Sequence, residues 1–333
     1  MPTRAISGGN GARLGRTGLQ VDDPAGRYGL TGFADAVLRG VAQVIFLNNS
    51  YTGLLCLIGI FLHSPVQCAA ALVGTVAGTA VGLLVRAEAA DVRSGLYGYN
   101  GCLVGMALPL FLGGGAAVWL LAVTGAGLSS LLLLALRRHG PSGFAVLTAP
   151  FVLCSWVVIL LFRALNPVGP AGAGSLRDVP VPAAGVLADW TVVEGALAGL
   201  AQVYLQPSAL SGLVIAVALL VGSRAVFLVA CLSGLVSAAV ASVADVPQEA
   251  IRTGLFGFNA VLAGLALGVV YLRTGRIPLV LATGIAAAMP LYQILCAKVL
   301  MSAGLPTMSV PFITATWLAL LALRPFERLW PPR

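Results

Sequence analysis

Charge is scarce in this chain of 333 residues: Asp, Glu, Lys and Arg together make up 9% of it, and Lys298 is its only lysine. Water-soluble domains carry roughly a quarter of their residues as charges, so the composition excludes a soluble globular protein. Histidine is scarcer still, with His63 and His139 alone, and neither stands in an H-E-x-x-H arrangement. The six cysteines, at 56, 68, 102, 154, 231 and 296, fall singly within apolar segments without a C-x-x-C pair. A disulfide framework, a structural zinc site and a metallohydrolase centre are therefore excluded, and the cysteines read as small core residues. No Ser/His pair or cofactor motif offers an intramembrane enzyme, so neither catalysis nor a cofactor is expected. The net charge of +8 comes almost wholly from Arg in tails and short loops. No basic domain accompanies it, so nucleic acid is not an expected partner.

What the chain has instead is apolar length. Hydrophobic residues make up 59% of it and the mean hydropathy is +0.98. Runs such as CAAALVGTVAGTAVGLLV, AAVWLLAVTGAGLSSLLLLAL and FAVLTAPFVLCSWVVILLF approach or exceed the roughly 20 residues that a helix needs to cross hydrocarbon. They are continuous and rich in Leu, Ala and Val, whereas a transmembrane barrel needs short alternating strands of about 10 residues. The expected fold is an all-α polytopic membrane protein in contact with lipid. Residues 1–28 are polar and Gly-rich with no apolar core, and are expected to form a flexible tail. Arg4, Arg13, Arg16, Arg137, Arg138, Arg324, Arg328 and Arg333 place both termini on the cytoplasmic side of the cell (inner) membrane.

The sequence also repeats itself. GLYGYNGCLVGMAL at 95–108 returns as GLFGFNAVLAGLAL at 254–267, with eight of fourteen positions identical. At the same offset of 159, AQV at 42–44 returns at 201–203, Asp35 pairs with Glu194, Gly40 with Gly199 and Ser64 with Ser223. Near the end of each half the offset is 161, where TAPF at 148–151 matches SVPF at 309–312, a change that fits a loop insertion. The Pro/Gly-rich stretch at 166–182 reads as a linker between homologous halves at 29–165 and 183–325, followed by a short C-terminal tail at 326–333. Duplicated membrane proteins commonly place a site between their halves at the midplane, built from discontinuous helices.

Segments 33–47 and 188–205 begin near a charge, carry an amide near their end and then break into Asn, Ser and Pro, so each reads as a half-helix stopping inside the protein. The last carbonyls of a helix lack intrahelical partners and stay open within a membrane only along a polar cavity. Asp35 and Glu194 are the acids that recur at matching positions. An acid there is a functional candidate by default, but the expected role of both is to anchor a helix start.

With these motifs in order in both halves, the chain resembles the urea transporter family, as a bacterial member. The resemblance implies two inverted repeats, about ten transmembrane helices plus two re-entrant half-helices around a central pore, and a homotrimer with one pore per protomer. It implies passive, channel-type movement of urea. Carried over by position, the family's selectivity filter falls on Gln43 and Gln202, with Val44 and Val203 after them. Its aromatic slot falls on Tyr99 and Phe258, with Leu103 and Leu262 one turn on, and its central hydroxyls on Thr148 and Ser309. Phe46 and Leu205 shape the carbonyl rows. Tyr99 departs from the family's usual Phe, adding a hydroxyl that either narrows the slot or reaches back to the protein, and Ser309 lacks the methyl of Thr.

The chemistry of these residues is coherent with that expectation. Urea is flat and neutral, with four N–H donors in its plane and one acceptor oxygen. A slot between aromatic faces admits it edge-on, and rows of carbonyls, amides and hydroxyls replace the water it loses. Each assignment has a plainer rival: the aromatics as packing, Gln43 and Gln202 as bridges between helices, and the hydroxyls bonded to their own helices. Asn100 and Asn259 read as structural ties. A channel for another small neutral solute (a short amide, ammonia, water) stays open, as does a proton-coupled carrier if Asp35 or Glu194 titrates in the path.

Overall fold

The computed structural model describes residues 29–141, 144–166, 190–244 and 246–330. The tail at 1–28 and all but the first residue of the linker at 166–182 lie outside the described residues. Within them the chain forms fourteen α-helices and no strand. The first seven are α1 (Leu30–Gln43), α2 (Ser50–His63), α3 (Pro65–Leu84), α4 (Ala89–Arg93), α5 (Tyr99–Leu112), α6 (Ala116–His139) and α7 (Ala149–Leu165). The next seven are α8 (Thr191–Gln202), α9 (Ala209–Gly222), α10 (Arg224–Val243), α11 (Gln248–Arg252), α12 (Phe258–Leu265, continued by a π-helical turn over Ala266–Val270), α13 (Arg276–Ser302) and α14 (Val310–Leu323).

Helices α2, α3 and α4 return as α9, α10 and α11 with the same lengths at the offset of 159. Their starts are specified by the same kind of residue. Asn49 accepts from Tyr51 and Thr52 amides at 2.9 and 3.1 Å, and Ser208 accepts from Ser211 N at 3.2 Å. Ser64 and Ser223 likewise cap α3 and α10 through Gln67 N and Val226 N, at 3.2 and 3.4 Å. After the π-helical turn in α12 the register is 160: Gly115 and Gly275 precede α6 and α13, and buried Ala122, Ala126 and Leu133 face the places of Ala282, Ala286 and Gln293. One of the two extra residues of the second half thus sits within a helix, as a π-bulge, and not in a loop.

Four helices, α3, α6, α10 and α13, are long and apolar enough to cross a membrane alone, and six apolar segments of 10–17 residues accompany them. Large apolar side chains such as Leu54, Ile58, Phe61, Leu128, Leu213 and Val217 point outward, exposed, as lipid-facing residues do. Helices α1 and α8, with 14 and 12 residues, extend about 21 and 18 Å, short of a roughly 30 Å core, as are the 14-residue α2, α5, α9 and α14. The doubled glycine motif forms a second kind of break. It separates α4 from α5 and α11 from α12 at Gly95 and Gly254, whose φ values of +79° and +75° belong to the left-handed region that glycine tolerates.

The halves are bonded to each other. Trp156 Nε1 donates to Pro306 O at 2.9 Å, and its counterpart Trp317 Nε1 donates to Ala145 O at 2.7 Å. Ala145 and Pro306 also correspond, at the offset of 161, so the contact is reciprocal, as in a two-fold pairing. Thr52 Oγ1 adds a bond to Ala218 O at 3.1 Å, joining α2 to α9. Residues 326–330 of the expected tail pack against the α12–α13 connection: Arg273 N donates to Leu329 O at 2.8 Å and Leu329 is buried with Leu267 and Leu272.

Candidate functional site

Half-helix α1 ends at Gln43, and the chain then turns sharply. Val44, Ile45 and Phe46 amides reach back to the carbonyls of Val41, Ala42 and Gln43 at 3.3, 3.1 and 3.0 Å, and Leu47 N reaches Ala42 O at 3.1 Å. Phe46 closes the turn at φ 61°, and Leu205 does the same after α8 at φ 56°. This is the left-handed helix ending that glycine ordinarily makes, here carried by bulky residues at a cost of order 1–2 kcal/mol. The ending satisfies the carbonyls of the last helical turn and moves the open ones outward. Among the described residues none donates to the carbonyls of Val44, Ile45 and Phe46, nor to those of Val203 and Leu205. In the second half Gln206 Nε2 takes the carbonyl of Tyr204 at 2.8 Å, so the two rows differ.

The structure places each sequence-predicted residue on this frame. Val44 and Val203 are buried beside the turns, and Phe46 meets Phe312 edge to face with ring centroids 6.2 Å apart. Gln43 Nε2 donates to Ser94 O at 3.0 Å and Gln202 Nε2 to Thr253 O at 2.9 Å. Each amide thereby ties its half-helix to the break in its own half, and the two are not brought together. Tyr99 and Phe258 open α5 and α12 with the same slight exposure of 8%, and Leu103 and Leu262 follow them inward. The Tyr99 hydroxyl donates to Leu147 O at 2.5 Å, so it reaches back to the protein.

Thr148 and Ser309 do meet. Their hydroxyl oxygens lie 2.7 Å apart, both residues are buried, and both precede a helix with the same backbone angles, φ −92° and ψ 19°. The residue before each, Leu147 and Met308, is left-handed at φ 52° and 44°. Asn100 and Asn259 steady these helix starts, accepting from Phe151 N at 3.1 Å and Phe312 N at 3.3 Å, which is the structural tie expected of them. Sequence reasoning missed Leu147 and Met308, since neither residue type favours that conformation. It also missed Tyr204, whose hydroxyl crosses to Val41 O of the other half at 2.8 Å, and Gln293, whose solitary amide in an apolar helix was the available signal.

Of the two recurring acids, Asp35 lies beyond the first turn of its helix, whereas Glu194 stands at a helix start without making a capping bond. Asp35 is the sixth residue of α1, which has no acid in its first turn, and it pairs with Arg39 Nε at 2.6 Å and with the Ser50 hydroxyl. Glu194 lies in the first turn of α8, but its carboxylate faces Arg252 at 3.6 Å and makes no cap.

Comparisons with known proteins agree in one direction. A family model described as urea transporter matches residues 34–324. The chain is similar to urea transporter 1 of Ovis aries and of Capra hircus, each at 28% identity over 87% of this chain and 77% of theirs. It is 27% identical to urea transporter 1 of Mus musculus over the same shares. A transporter family, a multi-pass helical body and converging paired halves are mutually consistent, and the chain belongs to the urea transporter family.

Proposed function

We propose that the protein conducts urea passively across the cell membrane through a narrow path between its two halves. The observation that carries this is the meeting of Thr148 and Ser309 hydroxyls 2.7 Å apart, where the two halves converge. Urea entering from either side leaves water for a path whose acceptors are the open carbonyls after α1 and α8, with the Gln43 and Gln202 amide oxygens beside them. Tyr99, Phe258, Leu103, Leu262, Val44 and Val203 supply apolar walls that favour a flat solute. At the centre, urea exchanges the hydroxyl–hydroxyl bond for bonds from its own N–H groups and oxygen, so the desolvation cost of several kcal/mol is offset along the way. A bare ion finds no countercharge there, because Asp35 and Glu194 are each paired with an arginine. That pairing also favours passive conduction over proton coupling.

The proposed setting is an inverted pair of repeats with both termini in the cytoplasm, supported by exposed Arg137, Arg138, Arg324 and Arg328 on short connections and the C-terminal segment. A homotrimer with one path per protomer belongs to the same proposal, and membership of the urea transporter family supports it.

Purified protein in liposomes is expected to accelerate urea-driven volume relaxation, followed by light scattering, without current. No acceleration over empty liposomes overturns the proposal. Acceleration that needs a proton gradient establishes a carrier, and equal rates for acetamide, ammonia or water broaden the substrate. Asp35→Asn sharpens the distinction: it removes the carboxylate partner of Arg39, which keeps its bonds to Asn48, and is expected to lower stability by about 1–3 kcal/mol, while urea flux per folded protein is retained. Abolished flux in a well-folded Asp35→Asn protein points to a titrating carboxylate.

A further inference from the structure

The two halves hold the central hydroxyls by different means. In the second half Gln293, buried on α13, donates through Nε2 to Leu255 O at 2.6 Å and accepts at Oε1 from Asn259 Nδ2 at 2.9 Å. Asn259 Nδ2 also reaches Met308 O at 3.4 Å while its Oδ1 receives Phe312 N. An unbroken set of bonds thus runs from the glycine motif through Gln293 and Asn259 to the residues on either side of Ser309. In the first half the place of Gln293 belongs to Leu133, which is buried, and Asn100 Nδ2 is buried without a hydrogen bond. There the carbonyl of Leu147, the counterpart of Met308, receives the Tyr99 hydroxyl. Phe258, the counterpart of Tyr99, has no hydroxyl to give.

We propose that Gln293 and Tyr99 are positioning residues with one task in two forms: each secures the left-handed residue that precedes a central hydroxyl, Gln293 through Asn259 and Tyr99 directly. The inference rests on the reading of Thr148 and Ser309 as the constriction on urea's path. It accounts for the pairing of Tyr99 with an apolar residue at 133 in the first half and of Phe258 with an amide at 293 in the second. A free carbonyl on a strained residue would let the helix start relax, and the hydroxyl would leave its partner.

The test exchanges one form for the other. Gln293→Leu is expected to lower urea flux in liposomes about ten-fold or more, and adding Phe258→Tyr, whose hydroxyl can reach Met308 O, is expected to recover most of it. A second readout needs no transport. With Thr148→Cys and Ser309→Cys introduced together, oxidative disulfide formation between them, quantified by mass spectrometry, should fall in Gln293→Leu and return with Phe258→Tyr. If the protein with native Thr148 and Ser309 moves no urea while the cysteine-bearing protein with native Gln293 forms the disulfide, the proposed function alone fails and the positioning role stands. Unchanged flux and disulfide yield in Gln293→Leu, or a folded Gln293→Leu protein that Phe258→Tyr does not rescue, overturns the positioning role. If Gln293→Leu does not fold, the reciprocal exchange decides. Tyr99→Phe, which removes the bond to Leu147 O, should lower the disulfide yield about ten-fold or more, and adding Leu133→Gln should recover most of it; a yield unchanged in Tyr99→Phe, or not recovered with Leu133→Gln, overturns the proposal.

Discussion

Thr148→Phe is expected to cut urea flux through reconstituted protein by about 100-fold or more, whereas Thr148→Ser stays within about three-fold of the parent. The hydroxyl of Thr148 touches that of Ser309, so a ring at this position occupies the space of its partner and removes a hydrogen-bonding group together. Ser309 is then left without a donor or acceptor opposite it, and a solute stripped of water meets apolar surface. A loss of that size corresponds to roughly 3 kcal/mol of barrier, within the range for an uncompensated polar group. Serine keeps the oxygen and gives up only a methyl, as the second half already does at Ser309. Light-scattering rates normalised to protein that elutes as a single species give the measurement. A Thr148→Phe protein retaining half the parental rate removes this pair from the path.

Gly53→Ala and Gly212→Ala are expected to lower the apparent melting temperature by about 10 °C or more, or to prevent recovery of monodisperse protein. A Cβ on Gly53 would sit 1.9 Å from Leu38 O, and one on Gly212 would sit 1.9 Å from Leu197 O. Both clashes are with backbone, so relief requires moving a whole half-helix away from α2 or α9. The half-helices carry the open carbonyls at their ends, and a shift large enough to admit the methyl would displace them. Gly284→Ala is the control, because nothing lies within 4 Å of the added carbon in the middle of α13, and alanine suits a helix interior better than glycine. Fluorescence-detected thermal unfolding distinguishes the cases. A Gly53→Ala protein as stable as the Gly284→Ala control contradicts the close approach.

Much of this organisation was legible before any coordinates, for identifiable reasons. The length of the apolar runs specified helices, and the doubled motifs specified corresponding places, because glycine and asparagine within apolar sequence are costly unless they serve a geometry. The ends of α1 and α8 were legible because the amides at Gln43 and Gln202 precede the loss of apolar period. What escaped was local competition. Asp35 looked like a helix anchor until Arg39, one turn on, proved the nearer partner. The turns after the half-helices place Phe46 and Leu205 where glycine is the usual choice, and nothing in those side chains announces it. The extra residue absorbed as a π-helical turn in α12 left only a change of register, which a loop would have left as well.

The exchanged tryptophan bonds bear on ancestry as much as on packing. Trp156 reaches the approach to α14, and Trp317 reaches the approach to α7, so each half braces the segment leading to the other's central hydroxyl. Two identical copies of one half, joined as a homodimer, could make both bonds with a single tryptophan. In such a dimer every substitution would appear twice. Within one chain the two copies need not match, and they do not: Tyr99 bonds Leu147 O on one side, and Gln293 bonds Asn259 on the other.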